Sequence, residues 1–334
     1  NTFVHNLHKF STRPYIQKVS IRMDMIQVEH LTKDYGFGRG VFDVTFNVQE
    51  GEVFGFLGPN GAGKTTTIRH IMGFSKPQEG VITVLGKDAW QHAAPIKRKL
   101  GYLPGEIAFP TNMTGTQFID YMARQRGMAD RGKTDYLLEQ FELDPSGDLK
   151  RMSLGMKRKL AIVTAFMHDP QLLVLDEPTS GLDPLMQERF IEFVLDEKKA
   201  GKTILLSSHI FSEVDATCDR IAIIKDGALV STIVADTLRH NEDKVFKVEF
   251  ADGAEYEKFV AATRLDLDAR RPHHHQVKIR IRDDDIHKFF AEMSRYNLNF
   301  ISEIKFTLED YFMDFYDRKK TVEQGKAGMQ SGLH

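Results

Sequence analysis

The sequence has a single cysteine, Cys218, among its 334 residues. An intrachain disulfide and a metal cluster held by several cysteines are therefore excluded, and such low cysteine use is typical of a reducing compartment. The longest uninterrupted aliphatic runs have four residues, for example 172–175 and 221–224. Because a membrane-spanning helix needs roughly 20 apolar residues, the sequence predicts no membrane span.

An excess of charge of one sign is also lacking. The chain has 45 Lys and Arg against 47 Asp and Glu, which gives a net charge of −2. This balance provides no overall electrostatic attraction to nucleic acid, and we expect no nucleic-acid partner. Hydrophobic residues make up 41% of the chain, so it can bury a sizeable core, and its length allows two domains.

The two ends of the chain lack the apolar pattern of a folded segment. Residues 1–24 contain no apolar run of signal-peptide length, and we expect them to be an extension outside the fold. Residues 318–334 are polar and include three glycines, which predicts a disordered tail.

Between Ile26 and about Val234, short aliphatic runs alternate with helical patterns, as is typical of an α/β domain with a mainly parallel sheet. One junction carries most of the functional information. The strand-like run 53–57 is followed by a loop and then by a helical pattern from Thr66 onward. The loop consists of Gly58, Pro59, Asn60, Gly61, Ala62, Gly63, Lys64 and Thr65. It matches the G-x-x-x-x-G-K-[ST] phosphate-binding pattern in its strand-to-helix context.

The residue types in this loop suit a nucleoside triphosphate. Its glycines let successive backbone N–H groups turn toward phosphate oxygens at a helix N-terminus. Lys64 supplies a mobile positive charge, and the Thr65 hydroxyl can ligate Mg²⁺. A glycine-rich turn that matches by chance is the alternative, and the strand-to-helix context argues against it.

Three further polar groups follow strand-like runs. The run 172–175 leads into Asp176 and Glu177, and the run 203–206 leads to His209. Because ligands gather at the carboxyl ends of parallel strands, we expect all three at the sheet edge that carries the phosphate loop. Asp176 is predicted to hold Mg²⁺, Glu177 to polarise the attacking water and His209 to contact the γ-phosphate.

With these motifs, the stretch from about residue 26 to residue 231 resembles the ATP-binding cassette (ABC) family. Residues 180–183 are similar to the family's D-loop, and Tyr35 lies where the family has an aromatic residue that stacks on adenine. The resemblance implies an α/β fold of the P-loop NTPase type and hydrolysis of ATP with Mg²⁺. It also adds Tyr35, Thr66 and Asp183 to the nucleotide-binding residues.

The family signature, usually Leu-Ser-Gly-Gly-Gln at the start of a helix, corresponds to residues 152–156. Ser153 and Gly155 are retained, whereas Leu154 and Met156 replace a glycine and the glutamine. The resemblance implies that Ser153 and Gly155 face the γ-phosphate of a nucleotide on a second subunit. The basic triplet 157–159 is predicted to be a solvated face of the same helix.

A second departure concerns the family's Q-loop, where Gly105 replaces the usual Gln. The neighbouring Glu106 is a candidate for part of the role of that Gln, which in the family reports the nucleotide state to the membrane partner. Residues from about 106 to 165 are expected to form the helical subdomain, with helices over 116–126 and 133–141.

The nucleotide motifs end near residue 235, and we expect an ATPase domain over 25–235 followed by an α+β domain over 236–317. The pattern predicts strands over 245–250, 276–282 and 300–306, and helices over 254–262, 286–296 and 308–316. This β-α-β-α-β-α order indicates a small domain of ferredoxin-like type. The residues His273 to His275 are predicted to form a solvated turn rather than a metal site.

The resemblance implies the ATP-binding subunit of an exporter, bound to an integral membrane permease at the cytoplasmic face of the membrane. Because one chain has one phosphate loop and one signature, a second ABC subunit, identical or different, must pair with it head to tail. The departures at Gly105, Leu154 and Met156 leave an alternative open, an ATP-binding regulator or non-transport member with weak hydrolysis.

Overall fold

The structure is a computed structural model, which describes residues 23–239, 243–304, 308–309 and 312. Nearly all of the predicted N-terminal extension, and the predicted tail after residue 317, lie outside the described residues.

The described residues form both strands and helices. The strands are β1 (Asp24–Asp34), β2 (Gly40–Gln49), β3 (Val53–Leu57), β4 (Glu79–Val84), β5 (Lys87–Asp88), β6 (Leu100–Leu103), β7 (Leu172–Asp176), β8 (Thr203–Ser208), β9 (Arg220–Lys225), β10 (Ala228–Val234), β11 (Asp243–Phe250), β12 (Asp266–Arg271), β13 (Gln276–Arg282) and β14 (Leu298–Ile304). The helices are α1 (Lys64–Ile71), α2 (Ala93–Lys99), α3 (Gly115–Arg126), α4 (Gly132–Gln140), α5 (Leu154–Phe166), α6 (Pro184–Lys199), α7 (Phe211–Thr217), α8 (Ala235–Arg239), α9 (Gly253–Ala262) and α10 (Ile286–Met293).

The central sheet has the strand order β10-β9-β3-β8-β7-β6. Strand β3 pairs in parallel with β8 and β9, and β7 pairs in parallel with β6 and β8. Every residue of β3, β7 and β8 is buried, as expected for parallel strands that are covered on both faces. The carboxyl ends of these three strands therefore lie side by side at one edge of the sheet.

The two faces of the central sheet contact different layers. Alternate residues of β3 divide between two cores, with Val53 and Leu57 in one and Phe54 and Phe56 in the other. The first core includes side chains of the helices α3 to α6. The second includes side chains of a smaller antiparallel sheet with the order β2-β1-β4-β5. We call the region of these two sheets, residues 24–239, the cassette region.

Helices α3 and α4 match the two helices predicted over 116–126 and 133–141 to within one residue. Helix α3 begins with a capping box between Thr114 and Gln117. Helix α5 begins after Ser153, whose hydroxyl accepts a hydrogen bond from the Met156 N–H at 3.2 Å.

Strands β11 to β14 form a third sheet, which we call the C-terminal module (residues 243–304). Its strand order is β12-β13-β11-β14, and all pairs are antiparallel. The order along the chain is β-α-β-β-α-β, the split arrangement of ferredoxin-like domains. The predicted order β-α-β-α-β-α was wrong because β12, with the sequence Asp-Leu-Asp-Ala-Arg-Arg, is a polar edge strand without an apolar run.

The chain contacts the cassette region again after the module. Leu308 is buried in the first core of the cassette region, and the ring of Phe312 lies 5.1 Å from that of Phe211. Residues 308, 309 and 312 are helical, and the rest of the helix predicted over 308–316 lies outside the described residues. Within the described part of the chain, no helix has both the length and the apolar character needed to cross a bilayer.

Candidate nucleotide site

The phosphate loop connects β3 to α1 and requires glycine at defined positions. Gly61 and Gly63 have φ angles of 82° and 109°, a region that favours glycine. A Cβ on Gly63 would lie 2.7 Å from the Val41 side chain, so β2 closes around the loop at this point. The loop is therefore held in one shape that leaves Lys64 and Thr65 at the start of α1.

The Lys64 side chain is buried and is held by three oxygen atoms. Its Nζ donates to the carbonyl oxygens of Gly58 at 2.6 Å and Pro59 at 3.1 Å. The same Nζ lies 3.0 Å from Glu177 Oε1, with both side chains largely buried. Lys64 is thus fixed at the point where a phosphate chain would enter.

Glu177 lies between Lys64 and His209 at the end of β7. One carboxylate oxygen pairs with Lys64, and the other lies 2.6 Å from His209 Nδ1. Its backbone has a φ of 49°, in the left-handed region, which costs roughly 1 kcal/mol for a residue with a Cβ. The Glu177 N–H donates to the Ser207 carbonyl oxygen at 3.1 Å, which holds this conformation in place.

Asp176 is fully buried, and its two carboxylate oxygens differ in their partners. Oδ1 accepts a hydrogen bond from Ser207 Oγ at 2.5 Å, whereas Oδ2 has no hydrogen-bond partner among the described residues. Burial raises the pKa of the Asp176 carboxyl, and the hydroxyls of Ser207 and Thr65 act in the opposite direction. A buried oxygen without a partner beside a threonine hydroxyl is a donor set that fits Mg²⁺, which prefers hard oxygen ligands.

These groups surround an open cleft of about 590 Å³. The side chains and backbone that line it come from the phosphate loop and α1, from the segments around the ends of β6 and β7, and from the end of β8. The lining residues are Asn60, Thr65, Arg69, Phe74, Tyr102, Pro104, Gly105, Glu106, Asp176, Glu177, Ser180 and His209. The predicted residues of three separate motifs therefore meet at one sheet edge.

Four predicted residues lie away from this cleft. Tyr35 is in an exposed turn between β1 and β2, and Lys33 Nζ lies 5.5 Å from the centre of its ring. Ser153 and Gly155 lie at the start of α5, and Asp183 is the N-cap of α6. None of the four lines the cleft beside the phosphate loop of the same chain. For Ser153 and Gly155, the head-to-tail hypothesis requires this separation, because it assigns them to the nucleotide of a second subunit.

The prediction that the basic triplet 157–159 is a solvated face was wrong for Arg158, whereas Lys157 and Lys159 are partly exposed. Arg158 is 2% exposed, and its guanidinium donates to backbone carbonyl oxygens. The sequence pattern missed it because a charged residue on a helix is usually solvated.

Sequence reasoning also gave no role to Ser207 and Glu213. Ser207 connects Asp176 and Glu177, because its hydroxyl donates to Asp176 and accepts a hydrogen bond from the Glu177 N–H at 3.2 Å. Glu213 is buried on α7 and accepts from Ser208 Oγ at 2.6 Å. Burial raises the pKa of the Glu213 carboxyl to about 7. The only sequence signal for Ser207 was its place at the end of a buried strand.

The arrangement is suited to phosphoryl transfer to water. It places a lysine, a helix N-terminus, a buried carboxylate and a second carboxylate that pairs with histidine around one cleft. Such groups bind phosphates, hold a divalent cation and orient a water molecule. Positioning and electrostatic stabilisation account for most of catalysis in this type of reaction.

Comparisons with known proteins identify a family for this chain. The sequence profile of the ABC transporter family matches residues 41–180. The bacitracin transport ATP-binding protein BcrA of Bacillus licheniformis is 36% identical over 233 residues, which cover 68% of this chain and 76% of the relative. The protein of the same name from Enterococcus faecalis is 30% identical over 86% of this chain and 95% of its own length. The linearmycin resistance ATP-binding protein LnrL of Bacillus subtilis is 36% identical over 62% of this chain and 68% of its own length.

Solved structures show the same fold. A structure described as the ATP binding subunit of an ABC transporter superposes with a TM-score of 0.59 and 32% identity, covering 64% of this chain and 92% of that chain. A dimeric ATP-binding cassette, MJ0796, bound to ADP and Pi, gives a TM-score of 0.58 at 23% identity, covering 63% and 99% of the two chains. The chain therefore belongs to the ABC transporter family, as an ATP-binding subunit with the P-loop NTPase fold and the ATPase function of that family.

Proposed function

We propose that this ATP-binding subunit powers export through a separate integral membrane permease. The observation that carries the proposal is the convergence of Lys64, Thr65, Asp176, Glu177 and His209 on one cleft. The relatives that are named for bacitracin transport and linearmycin resistance support the export direction.

Binding of ATP exchanges the contacts of Lys64. Its hydrogen bonds to Gly58 and Pro59, and its ion pair with Glu177, give way to the β- and γ-phosphate oxygens. The N–H groups of Gly58 and of Asn60 to Thr66 surround the phosphates at the start of α1. Tyr35 stacks on the adenine ring.

Hydrolysis then uses the carboxylate that Lys64 has released. Glu177 keeps its hydrogen bond to His209 and accepts a proton from the attacking water, while His209 contacts the γ-phosphate on its exposed side. A positioned general base contributes on the order of 10²–10⁴ in rate. Asp176 and Thr65 would hold Mg²⁺, which neutralises charge on the phosphate oxygens when it is bound.

A second ABC subunit completes the site. Ser153 is exposed at the N-terminus of α5, whose backbone N–H groups suit a phosphate from another chain. Gly155 keeps this surface open, and Asp183 lies in the loop that follows the acidic strand. The pair assembles head to tail on the permease at the cytoplasmic face of the membrane.

Reconstitution tests this function. The tagged chain is purified from detergent-solubilised membranes of its own cells together with the membrane subunit it retains, and the complex is placed in liposomes. ATP added outside reaches only outward-facing cassettes, so accumulation of substrate inside the liposomes reports export. Candidate substrates are bacitracin and linearmycin, the compounds in the names of two relatives. Absence of ATP turnover, or loss of a preloaded substrate from the lumen on addition of ATP, would contradict the proposal.

A regulator with weak hydrolysis is the second candidate, and the signature favours it. Leu154 is 63% exposed at the start of α5, where the family has a glycine, and it brings a bulky apolar side chain to the proposed phosphate surface. For a regulator, the purified complex would bind ATP but hydrolyse it at a rate close to that of Glu177→Gln. A wild-type rate at least about 100-fold above the variant excludes it.

A further inference from the structure

Arg158 is a buried cation that has no carboxylate within ion-pair distance among the described residues. Instead, its guanidinium donates to three backbone carbonyl oxygens. Nε bonds Ser180 at 2.8 Å, Nη1 bonds Pro104 at 3.0 Å and Nη2 bonds Gly105 at 2.7 Å. All of these carbonyls belong to residues that line the nucleotide cleft.

The three acceptors belong to two loops that are far apart in the sequence. Pro104 and Gly105 follow β6, and Ser180 follows β7. Arg158 itself lies in the second turn of α5, the helix that begins after Ser153. One side chain therefore connects the signature helix to both loops. A planar guanidinium with five donors can satisfy three carbonyls in fixed directions, whereas a lysine is a point charge on a flexible chain.

Both loops contact catalytic groups or the start of α5. A Cβ on Gly105 would lie 3.0 Å from Asp176 Oδ2, so the backbone at residue 105 lies against the carboxylate oxygen that lacks a hydrogen-bond partner. A Cβ on Gly155 would lie 3.2 Å from the Gly181 carbonyl oxygen, so the first turn of α5 packs on the loop after β7. As long as the hydrogen bonds of Arg158 are kept, a shift of α5 must move both loops.

We propose that Arg158 is a positioning residue for ATP hydrolysis, which ties the loops after β6 and β7 to the signature helix and so sets their position against Asp176 and Glu177. This role rests on the proposed function of the site. Because residue 105 is Gly, it has no side chain through which the loop after β6 could be held. The loop is held through its backbone carbonyl oxygens, to which Arg158 donates.

The test compares Arg158→Met and Arg158→Lys with a matched control in the full-length chain. Arg126 is also a partly buried guanidinium that donates to two carbonyls, Lys97 at 2.6 Å and Leu100 at 3.1 Å, but it does not line the cleft. Arg126→Met therefore reproduces the loss of buried hydrogen bonds without releasing the two loops.

Two measurements separate positioning from stability. The kcat per folded site, counted by binding of a fluorescent ATP analogue, should fall about 10- to 100-fold in Arg158→Met and less in Arg158→Lys, while nucleotide affinity changes by less than about threefold. Amide hydrogen exchange of residues 105–106 and 180–183 should rise together, by about tenfold, in Arg158→Met and stay unchanged in Arg126→Met. If Arg158→Met does not fold, Arg158→Lys and its exchange pattern decide the question.

Two results would overturn the role. Unchanged turnover per folded site, with a lower melting temperature only, would make Arg158 a structural residue. A loss of affinity as large as that of Lys64→Ala would place it in nucleotide binding instead. Failure of the proposed function has a different signature, since wild-type protein would then turn over ATP no faster than Glu177→Gln, whatever the exchange experiment shows.

Discussion

The cassette region and the C-terminal module bury different kinds of side chain. Among the described residues, every buried polar or charged side chain lies between Glu52 and Thr217. The core of the C-terminal module is apolar and aromatic, with Phe250, Phe259 and Phe289 fully buried. Both regions use sheets covered by helices, so the difference does not come from the type of architecture.

Burial of an ionisable group reduces stability unless partners compensate it. In the cassette region, Lys64, Asp176 and Glu213 lie near the carboxyl ends of β3, β7 and β8, whereas the buried Glu52 and Lys202 lie immediately before β3 and β8. The C-terminal module keeps its charges at the surface, for example in the ion pair between Arg280 and Asp268. Only part of the costly buried charge of the cassette region therefore lies at the nucleotide edge, whereas the core of the module is stabilised without buried charge.

The largest expected effect on ATP turnover is that of Glu177→Gln. Loss of the carboxylate removes the general base, so turnover should fall on the order of 10²- to 10⁴-fold. ATP binding should remain, and an ATP-dependent dimer should accumulate because bound ATP is no longer consumed. Steady-state phosphate release and size-exclusion chromatography of the assembled complex measure the two effects.

Ser153→Arg in the Glu177→Gln background is the control for the second subunit. The bulky cation at the N-terminus of α5 should block the phosphate surface and abolish the ATP-dependent dimer. Dimerisation that is indifferent to Ser153 would mean that the signature with Leu154 and Met156 no longer binds nucleotide in the opposite subunit.

Lys64→Ala should act on nucleotide affinity rather than on folding. A hydrogen bond to a charged group contributes about 1.5–3 kcal/mol, so affinity for ATP should fall roughly 10- to 100-fold. The far-ultraviolet circular dichroism spectrum should stay that of the wild type, because the side chain contacts loop carbonyls and Glu177 rather than the apolar core. Equal affinity in a folded Lys64→Ala protein would remove the phosphate loop from the site.

Glu213→Gln should change how stability depends on pH. Because the pKa of Glu213 is raised from 4.5 to about 7, the folded protein holds a proton that the unfolded chain releases in this window. The stability from this group is complete below pH 4.5 and is lost as the pH rises through 7, by up to about 3 kcal/mol. In urea unfolding, the free energy of unfolding of the variant relative to that of the wild type should be higher at pH 8 than at pH 5. A constant difference between the two proteins would contradict the assignment.

The smallest effect on turnover is expected from Phe259→Ala in the C-terminal module. Truncation of this fully buried ring should destabilise the module by about 3–5 kcal/mol. Because Phe259 contacts only the module's own core cluster among the described residues, ATP turnover should stay within about twofold of the wild type. A loss comparable to that of Lys64→Ala would show that the predicted domains over 25–235 and 236–317 work as one unit.

The sequence predicts most of the nucleotide site because each of its motifs is a short continuous segment that follows a strand. Strand β3 begins and ends where the pattern predicts, since a buried parallel strand is a continuous apolar run and the loop after it has a fixed spacing. The missing strand β12 shows the opposite case. It pairs with β13, the next strand along the chain, but four of its six residues are charged, so no apolar run marks it as a strand.

Arg158 and Ser207 were beyond local reasoning for a different reason, because their partners are far away in the sequence. The hydrogen bonds of Arg158 reach residues 22, 53 and 54 positions away, and Ser207 bonds an acid 31 positions earlier. A residue type on a helix or at a strand end does not specify such partners. Only the strand order, which places β7 beside β8, brings Ser207 to Asp176.

The C-terminal module is attached to the cassette region at both of its ends. Ala235 is buried where the chain leaves, and Leu308 is buried where it returns, next to the helix that follows His209. A segment fixed at both ends has a high effective concentration at its docking surface, so the contact of Phe312 with Phe211 forms with a small entropy loss. A ligand or protein that pulls on the module would thus exert force at α7, which begins two residues after His209, without entering the cleft.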